Sequence, residues 1–171
     1  DRDILKNCSN LKIISRHGVG YNNVDLDYLN ENKQALAVTG TSNAVSVAEH
    51  VMTMFLYLAK NINKSDQLVR SGQFKKQNTL PNFFELYQKK VLILGFGRIG
   101  QSVAKRCLGF EADVMVYDPF LDHEAINKKN CTKIELDDGI KIADFITVHV
   151  PLSEKTKNLI NKKHFLEMKD S

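Results

Sequence analysis

Gly95-Phe96-Gly97-Arg98-Ile99-Gly100 sets three glycines at a spacing that lets a chain turn sharply, approach a diphosphate and open a helix close to a strand. Gly95 suits the tight turn, Gly97 the close approach of backbone to phosphate, and Gly100 the packing of helix on strand. The same spacing also occurs in plain structural turns, so the flanking residues decide between the two. Val91-Leu92-Ile93-Leu94 before the loop reads as a buried strand, and Gln101 to Phe110 after it reads as a helix. Asp118 closes the next strand, Asp113 to Tyr117, and lies 23 residues beyond Gly95. That is near the ~20 at which an acid receives the ribose hydroxyls of a bound dinucleotide. A diphosphate would rest on the N–H groups at the positive end of the helix. A carboxylate at Asp118 repels a 2′-phosphate, and Pro119-Phe120-Leu121-Asp122 brings no cation, so the pattern indicates NAD over NADP. The structural alternative is that Asp118 only starts the turn before Pro119.

A second strand-then-glycine unit lies 77 residues upstream. Leu11 to Arg16 is strand-like and runs into Gly18-Val19-Gly20, whose backbone N–H groups form a concave nest for an anion. Asp25 caps a short helix through Lys33, and Ala35 to Thr39 reads as the next buried strand. Val47, Val51, Met54, Phe55, Leu58 and Ile62 recur at steps of three and four, which predicts one long helix over Ala44 to Asn61. A further helix carries Leu68 and Val69 and stops at Ser71-Gly72, and residues 73–88 form an irregular arm with Phe83, Phe84 and Tyr87. A helix over Leu136 to Ile142 leads to a third strand of the second unit, Asp144 to Val150. Strands alternating with helices predict an α/β fold with parallel sheets and right-handed crossovers.

The composition sets the outer bounds. Leu, Ile, Val and Phe make up 52 of 171 residues, well above the ~20% below which chains stay unfolded. The most apolar stretch, Val51 to Ala59, is about half as long as a membrane helix requires. Cys8, Cys107 and Cys131 are too scattered for a disulfide framework or a zinc site, which indicates a reducing, cytoplasmic setting and no metal. The net charge of +4 comes from 19 Lys and 5 Arg spread along the chain beside 15 Asn. Its densest stretch, Lys60 to Lys76, reads as a solvated surface rather than a nucleic-acid patch. Asp1 and Ser171 carry no start or stop signal, so the chain reads as an internal fragment.

Four segments taken together resemble the D-isomer-specific 2-hydroxyacid dehydrogenases, and among them the D-3-phosphoglycerate dehydrogenase branch. These are Arg16-His17-Gly18-Val19-Gly20-Tyr21-Asn22-Asn23-Val24-Asp25, Asn43-Ala44-Val45-Ser46-Val47-Ala48-Glu49-His50, the loop Gly95 to Gly100, and Val148-His149-Val150-Pro151-Leu152. The resemblance implies a partial, doubly wound Rossmann-like sheet preceded by part of a flavodoxin-like substrate domain. Residues 1–43 would belong to the substrate domain, 44–61 to an interdomain helix and 62–171 to a truncated NAD-binding domain. It further implies that Gly18, Val19 and Gly20 hold a substrate carboxylate. Arg16 would stand near a substrate phosphate, with a strand-end surface arginine as the alternative. Arg98 and Ile99 would meet the pyrophosphate, while Val47, His149, Val150 and Pro151 would line the cofactor.

The family's catalytic Arg, Glu and His would lie beyond Ser171. His17, His50 and His149 match none of those positions, so His149 reads as a structural or cofactor-edge residue and His50 as a helix residue near the domain junction. The implied activity is hydride transfer between NAD and a small D-2-hydroxy or 2-oxo acid, 3-phosphoglycerate or a relative, in a homodimer or homotetramer with no nucleic-acid or membrane partner. The competing class is a non-enzymatic, corepressor-like NAD sensor. The wording Arg16 to Tyr21 and Ser46 to His50 is closer to the enzymes.

Overall fold

The computed structural model describes residues 2–40, 42–73 and 81–170. They form two compact units: one takes residues up to Ala44 together with Pro151–Lys157, the other Val45–Val150 with residues from Asn158 onward.

In the first unit β1 (Ile13–Arg16) and β2 (Ala35–Val38) pair in parallel, with Ile13 opposite Ala35 and Arg16 opposite Val38. Parallel neighbours need a crossover, here α2 (Leu26–Glu31). Its start is set by Asp25, whose carboxylate accepts the Tyr28 N–H at 2.9 Å. The unit opens with α1 (Arg2–Lys6), tied to α2 by Arg2 on Glu31 at 2.6 Å. Both strands are shorter than the expected Leu11–Arg16 and Ala35–Thr39, because each ends where its partner's ladder ends.

The second unit is a four-stranded parallel sheet of β3 (Lys90–Leu94), β4 (Asp113–Tyr117), β5 (Thr132–Lys133) and β6 (Phe145–Val148) in the order β5-β4-β3-β6. The central strand explains the continuous apolar run: Val91, Leu92, Ile93 and Leu94 are all fully buried because both faces of the sheet are covered. Val91 and Ile93 pack under α3 (Ala44–Ala59) and α5 (Arg98–Gly109), against Ala48, Met52, Phe55, Val103, Ala104 and Cys107. Leu92 and Leu94 face the other way, onto Ile140 of α7 (Leu136–Ile142). α7 lies so close that a Cβ on its Gly139 would meet Leu92 Cδ1 at 2.8 Å. Phe145 of β6 fills the end of the first face, its ring 4.7 Å from Phe55 and 5.8 Å from Phe84.

The long helix stops at Ala59, two residues short of the expected end, and α4 (Ile62–Arg70) follows Asn61, which adopts a left-handed turn. Of the expected arm over 73–88, residues 74–80 lie outside the described residues, and 81–88 contain no helix or strand. The strand expected over Asp144–Val150 pairs only over Phe145–Val148. α6 (His123–Asn127), β5 and α8 (Lys162–Glu167) add to the expected elements. Asp122 caps α6 through the Ala125 N–H, and Asn161 caps α8. His164 of α8 is buried, with Nδ1 accepting the Asn161 N–H, which leaves Nε2 to donate to Asp137 of α7 at 3.1 Å.

Burial pushes the Cys107 thiol up to about 12 and the Cys131 thiol up to about 11, so both behave as core residues rather than nucleophiles.

Asp144 ties the start of β6 to its neighbour. Its Oδ2 accepts the Lys90 N–H and its Oδ1 the Lys169 ammonium, each at 2.8 Å. Partial burial pushes this carboxyl up, but the bonds from Lys169 and Lys90 and the charges of Lys169 and Lys89 outweigh it and hold it below the ordinary range. A lowered folded value means the stabilisation is complete above the ordinary carboxylate range and disappears as acid protonates the folded form. Urea unfolding at neutral pH and again below about pH 4 should show Asp144→Asn losing less stability between the two than the wild type. Equal losses would contradict this role.

Candidate functional site

At the C-terminal edge of the sheet, β3 runs directly into the glycine loop. The Gly95 N–H donates to the Tyr117 carbonyl at 2.9 Å, extending the β3–β4 ladder by one bond. The next acceptor is a side chain: Asp118 Oδ2 takes the Phe96 N–H at 2.8 Å, and Oδ1 takes the Phe120 N–H at 3.0 Å. Asp118, 9% exposed, therefore makes the turn before Pro119 and also fixes the glycine loop. Each of its oxygens keeps a second acceptor direction for a hydroxyl.

The three glycines differ in what surrounds them. Gly95 has φ +91°, and a Cβ there would meet the His149 carbonyl oxygen and Val150 Cγ1 at 2.8 Å, so the end of β6 presses on the turn. A Cβ on Gly100 would lie 2.1 Å from the Gly95 carbonyl oxygen, so the first turn of α5 folds back onto the loop. A Cβ on Gly97 would meet nothing within 4 Å. That open side of the loop is what a pyrophosphate lying against backbone requires. Helix α5 starts earlier than expected, at Arg98, so Arg98, Ile99 and Gly100 form its first turn rather than a loop before it. Its first intrahelical bond runs from Gln101 N–H to the Gly97 carbonyl, and the N–H groups ahead of it point out of the helix end. The loop and Asp118 thus fit a dinucleotide on two counts: open space beside Gly97 and a carboxylate with spare acceptor capacity.

His149 lies on the opposite side of the loop. Its N–H extends the ladder to the Leu94 carbonyl at 2.7 Å, and its Nε2 is 2.8 Å from Thr147 Oγ1. Burial pushes the imidazole below its ordinary value, which keeps it neutral at pH 7. Val150 touches the Gly95 position, and Val47 sits half-buried in the first turns of α3. Pro151 belongs to the first unit, where its carbonyl accepts the Thr156 hydroxyl.

The first unit holds the other expected site residues. Gly18, at φ +137°, uses the conformational freedom only glycine has. Its N–H is already spent on Thr39 Oγ1 at 2.8 Å, so of the three N–H groups expected to form the nest only those of Val19 and Gly20 remain. Gly18 thereby shapes the turn that presents the other two N–H groups. Arg16 donates from Nη1 to Asn23 Oδ1 at 2.7 Å, and its Nε is buried without a hydrogen-bond partner among the described residues.

Residues 52–171 match the family model described as "D-isomer specific 2-hydroxyacid dehydrogenase, NAD binding domain". The chain belongs to that family. It is 34% identical to D-3-phosphoglycerate dehydrogenase of Archaeoglobus fulgidus over 99% of this chain and 32% of that protein. It is 36% identical to hydroxypyruvate reductase of Thermotoga maritima over 98% of this chain and 53% of that one. Its fold superimposes on D-lactate dehydrogenase of Aquifex aeolicus, solved with NAD and lactic acid, with a TM-score of 0.88 and 30% identity over 100% of this chain and 51% of that chain. The chain therefore spans about a third to a half of the length of these relatives, and its glycine loop belongs to an NAD-binding domain.

Lys133 carries no local signal in the sequence. The register of β5 on β4 brings its ammonium to the Leu121 carbonyl at 2.6 Å, beside the loop that follows Asp118. A two-residue strand has no periodicity to reveal it.

The second and third glycines of the loop should separate folding from binding. Gly97→Ala should keep the wild-type urea midpoint yet weaken NADH binding by about tenfold or more, since its methyl occupies the phosphate side. Gly100→Ala should cost about 1–3 kcal/mol of stability from overpacking. Equal effects of the two on both measurements would refute this division.

Proposed function

We propose that the protein is an NAD-dependent D-2-hydroxyacid dehydrogenase acting on 3-phosphoglycerate or a close relative. The observation that carries this reading is the preformed glycine loop closed by Asp118, in a chain whose family is defined by that chemistry. Bound NAD supplies the hydride chemistry. The chain's own residues supply binding and orientation: N–H groups of the α5 first turn for the pyrophosphate, Asp118 for the ribose, and Val19 and Gly20 N–H groups for a substrate carboxylate. Neutral His149 supports the loop through its backbone rather than moving a proton. Support for the phosphorylated substrate comes from the relatives named D-3-phosphoglycerate dehydrogenase and from Arg16, whose Nε has no hydrogen-bond partner among the described residues.

The domain reading assigns 1–43 to substrate binding and 62–171 to the cofactor, with the helix between. A cytoplasmic setting suits the reduced Cys107 and Cys131. Among the described residues no helix is long and apolar enough to cross a membrane. A homodimer is the assembly that suits Met54, Tyr57 and Leu58, which leave an apolar strip of α3 exposed.

Full-length protein should oxidise NADH in the presence of a 2-oxo acid, with 3-phosphohydroxypyruvate favoured over hydroxypyruvate, glyoxylate and pyruvate. NADPH should bind about tenfold or more weakly, a margin that Asp118→Ala narrows. Tight NADH binding without turnover of any of the four acids would reject the enzymatic reading in favour of a binding protein. Light scattering that gives a monomer at micromolar concentration would reject the dimer.

A further inference from the structure

The preference for NAD rests on a carboxylate at Asp118 with no cation in the residues that follow it. The fold alters that local picture. Lys133 stands opposite Val116 in the parallel β5–β4 pair, and register partners project to the same side of a sheet. Asp118 lies two residues beyond Val116, so the strand alternation puts Lys133 and Asp118 on one face. The Lys133 ammonium then reaches across the end of β4 and donates to the Leu121 carbonyl at 2.6 Å. The half-buried stem and this bond fix the charge in place.

Lys128 is held by Glu124 at 2.7 Å, whereas no carboxylate lies within ion-pair distance of Lys133 among the described residues. The segment it clamps is the one whose other end is set by the Phe120 N–H on Asp118 Oδ1. The loop beside the ribose acid is therefore held from two sides, by an anion at its start and a cation at its end.

We propose that Lys133 is a specificity-determining residue that sets the margin by which this site prefers NAD over its 2′-phosphorylated form. This rests on the reading of the glycine loop and Asp118 as the dinucleotide site. Asp118 repels a phosphate on the adenosine ribose; Lys133, held on the same face at the loop that follows Asp118, adds a fixed positive potential that offsets part of that repulsion. The cation contributes little to NAD itself, which carries no charge at that hydroxyl. Its effect appears in the ratio of the two affinities more than in either one.

The test measures dissociation constants of NADH and NADPH by nicotinamide fluorescence in the full-length protein, for wild type, Lys133→Met, Lys133→Gln and Lys133→Arg. Lys133→Met removes both charge and clamp. Lys133→Gln keeps an N–H donor for the Leu121 carbonyl without the charge, and it keeps the test open should the Met variant lose its fold. Lys133→Arg keeps the charge. The NADPH-to-NADH ratio of dissociation constants should rise about threefold or more in the Met and Gln variants and stay near wild type in the Arg variant. A purely structural clamp weakens both cofactors alike, so an unchanged ratio with NADH still bound would overturn the proposal alone. Wild-type protein that binds neither cofactor would overturn the cofactor reading and this proposal with it.

Discussion

The hydrogen bond from the Phe96 N–H to the Asp118 carboxylate is the constraint on which the site depends. Where β3 ends, the main-chain ladder to β4 runs out after the Gly95 N–H, and a side chain from the neighbouring strand takes over as the acceptor. A glycine-rich turn has much conformational entropy to lose, and an unpaired N–H in this buried position would be costly. One carboxylate removes both problems. It satisfies the N–H and sets the loop in one conformation while its remaining acceptor directions stay available to a ribose.

That bond is available only because the sheet places the two strand ends side by side. Alternation along β3 buries Val91 and Ile93 against α3 and α5, and Leu92 and Leu94 against α7, so the strand cannot slip by one residue without exchanging its two cores. The register that follows puts Leu94 beside Tyr117 on one side and Val148 on the other. Gly95, Asp118 and His149 are the next residues of three adjacent strands. Their meeting at one edge is the outcome of packing two residues deep in the core, and close contacts at Gly95 and Gly100 complete it.

Much of this was legible in the residues themselves. The apolar run Val91 to Leu94, the three glycines and the acid 23 residues on are local signals, and the structure puts them in the expected strand, turn and helix. The family follows from the same segments. Helices α6 and α8 carried readable caps in Asp122 and Asn161, yet each is under two turns and shows no clear apolar period. What the chain order hid was set by pairing at a distance. Thr39 takes the Gly18 N–H from across the β1–β2 pair, and Lys133 reaches the loop after Asp118 through a two-residue ladder. The strands also end inside the apolar runs, short of Leu11 and Val150, because pairing stops where a neighbour stops and not where apolar residues do.

The loop is thus organised before any cofactor arrives, and the dinucleotide meets a surface already shaped. Amide hydrogen exchange at Phe96 in cofactor-free full-length protein tests this most directly, because that one amide reports the bond to Asp118. The account predicts strong protection of Phe96 in the wild type and loss of that protection in Asp118→Ala, with the core amides of β3 still protected in both. Exchange of the wild-type Phe96 amide at the rate of an open loop, with protection gained only on adding NADH, would contradict it.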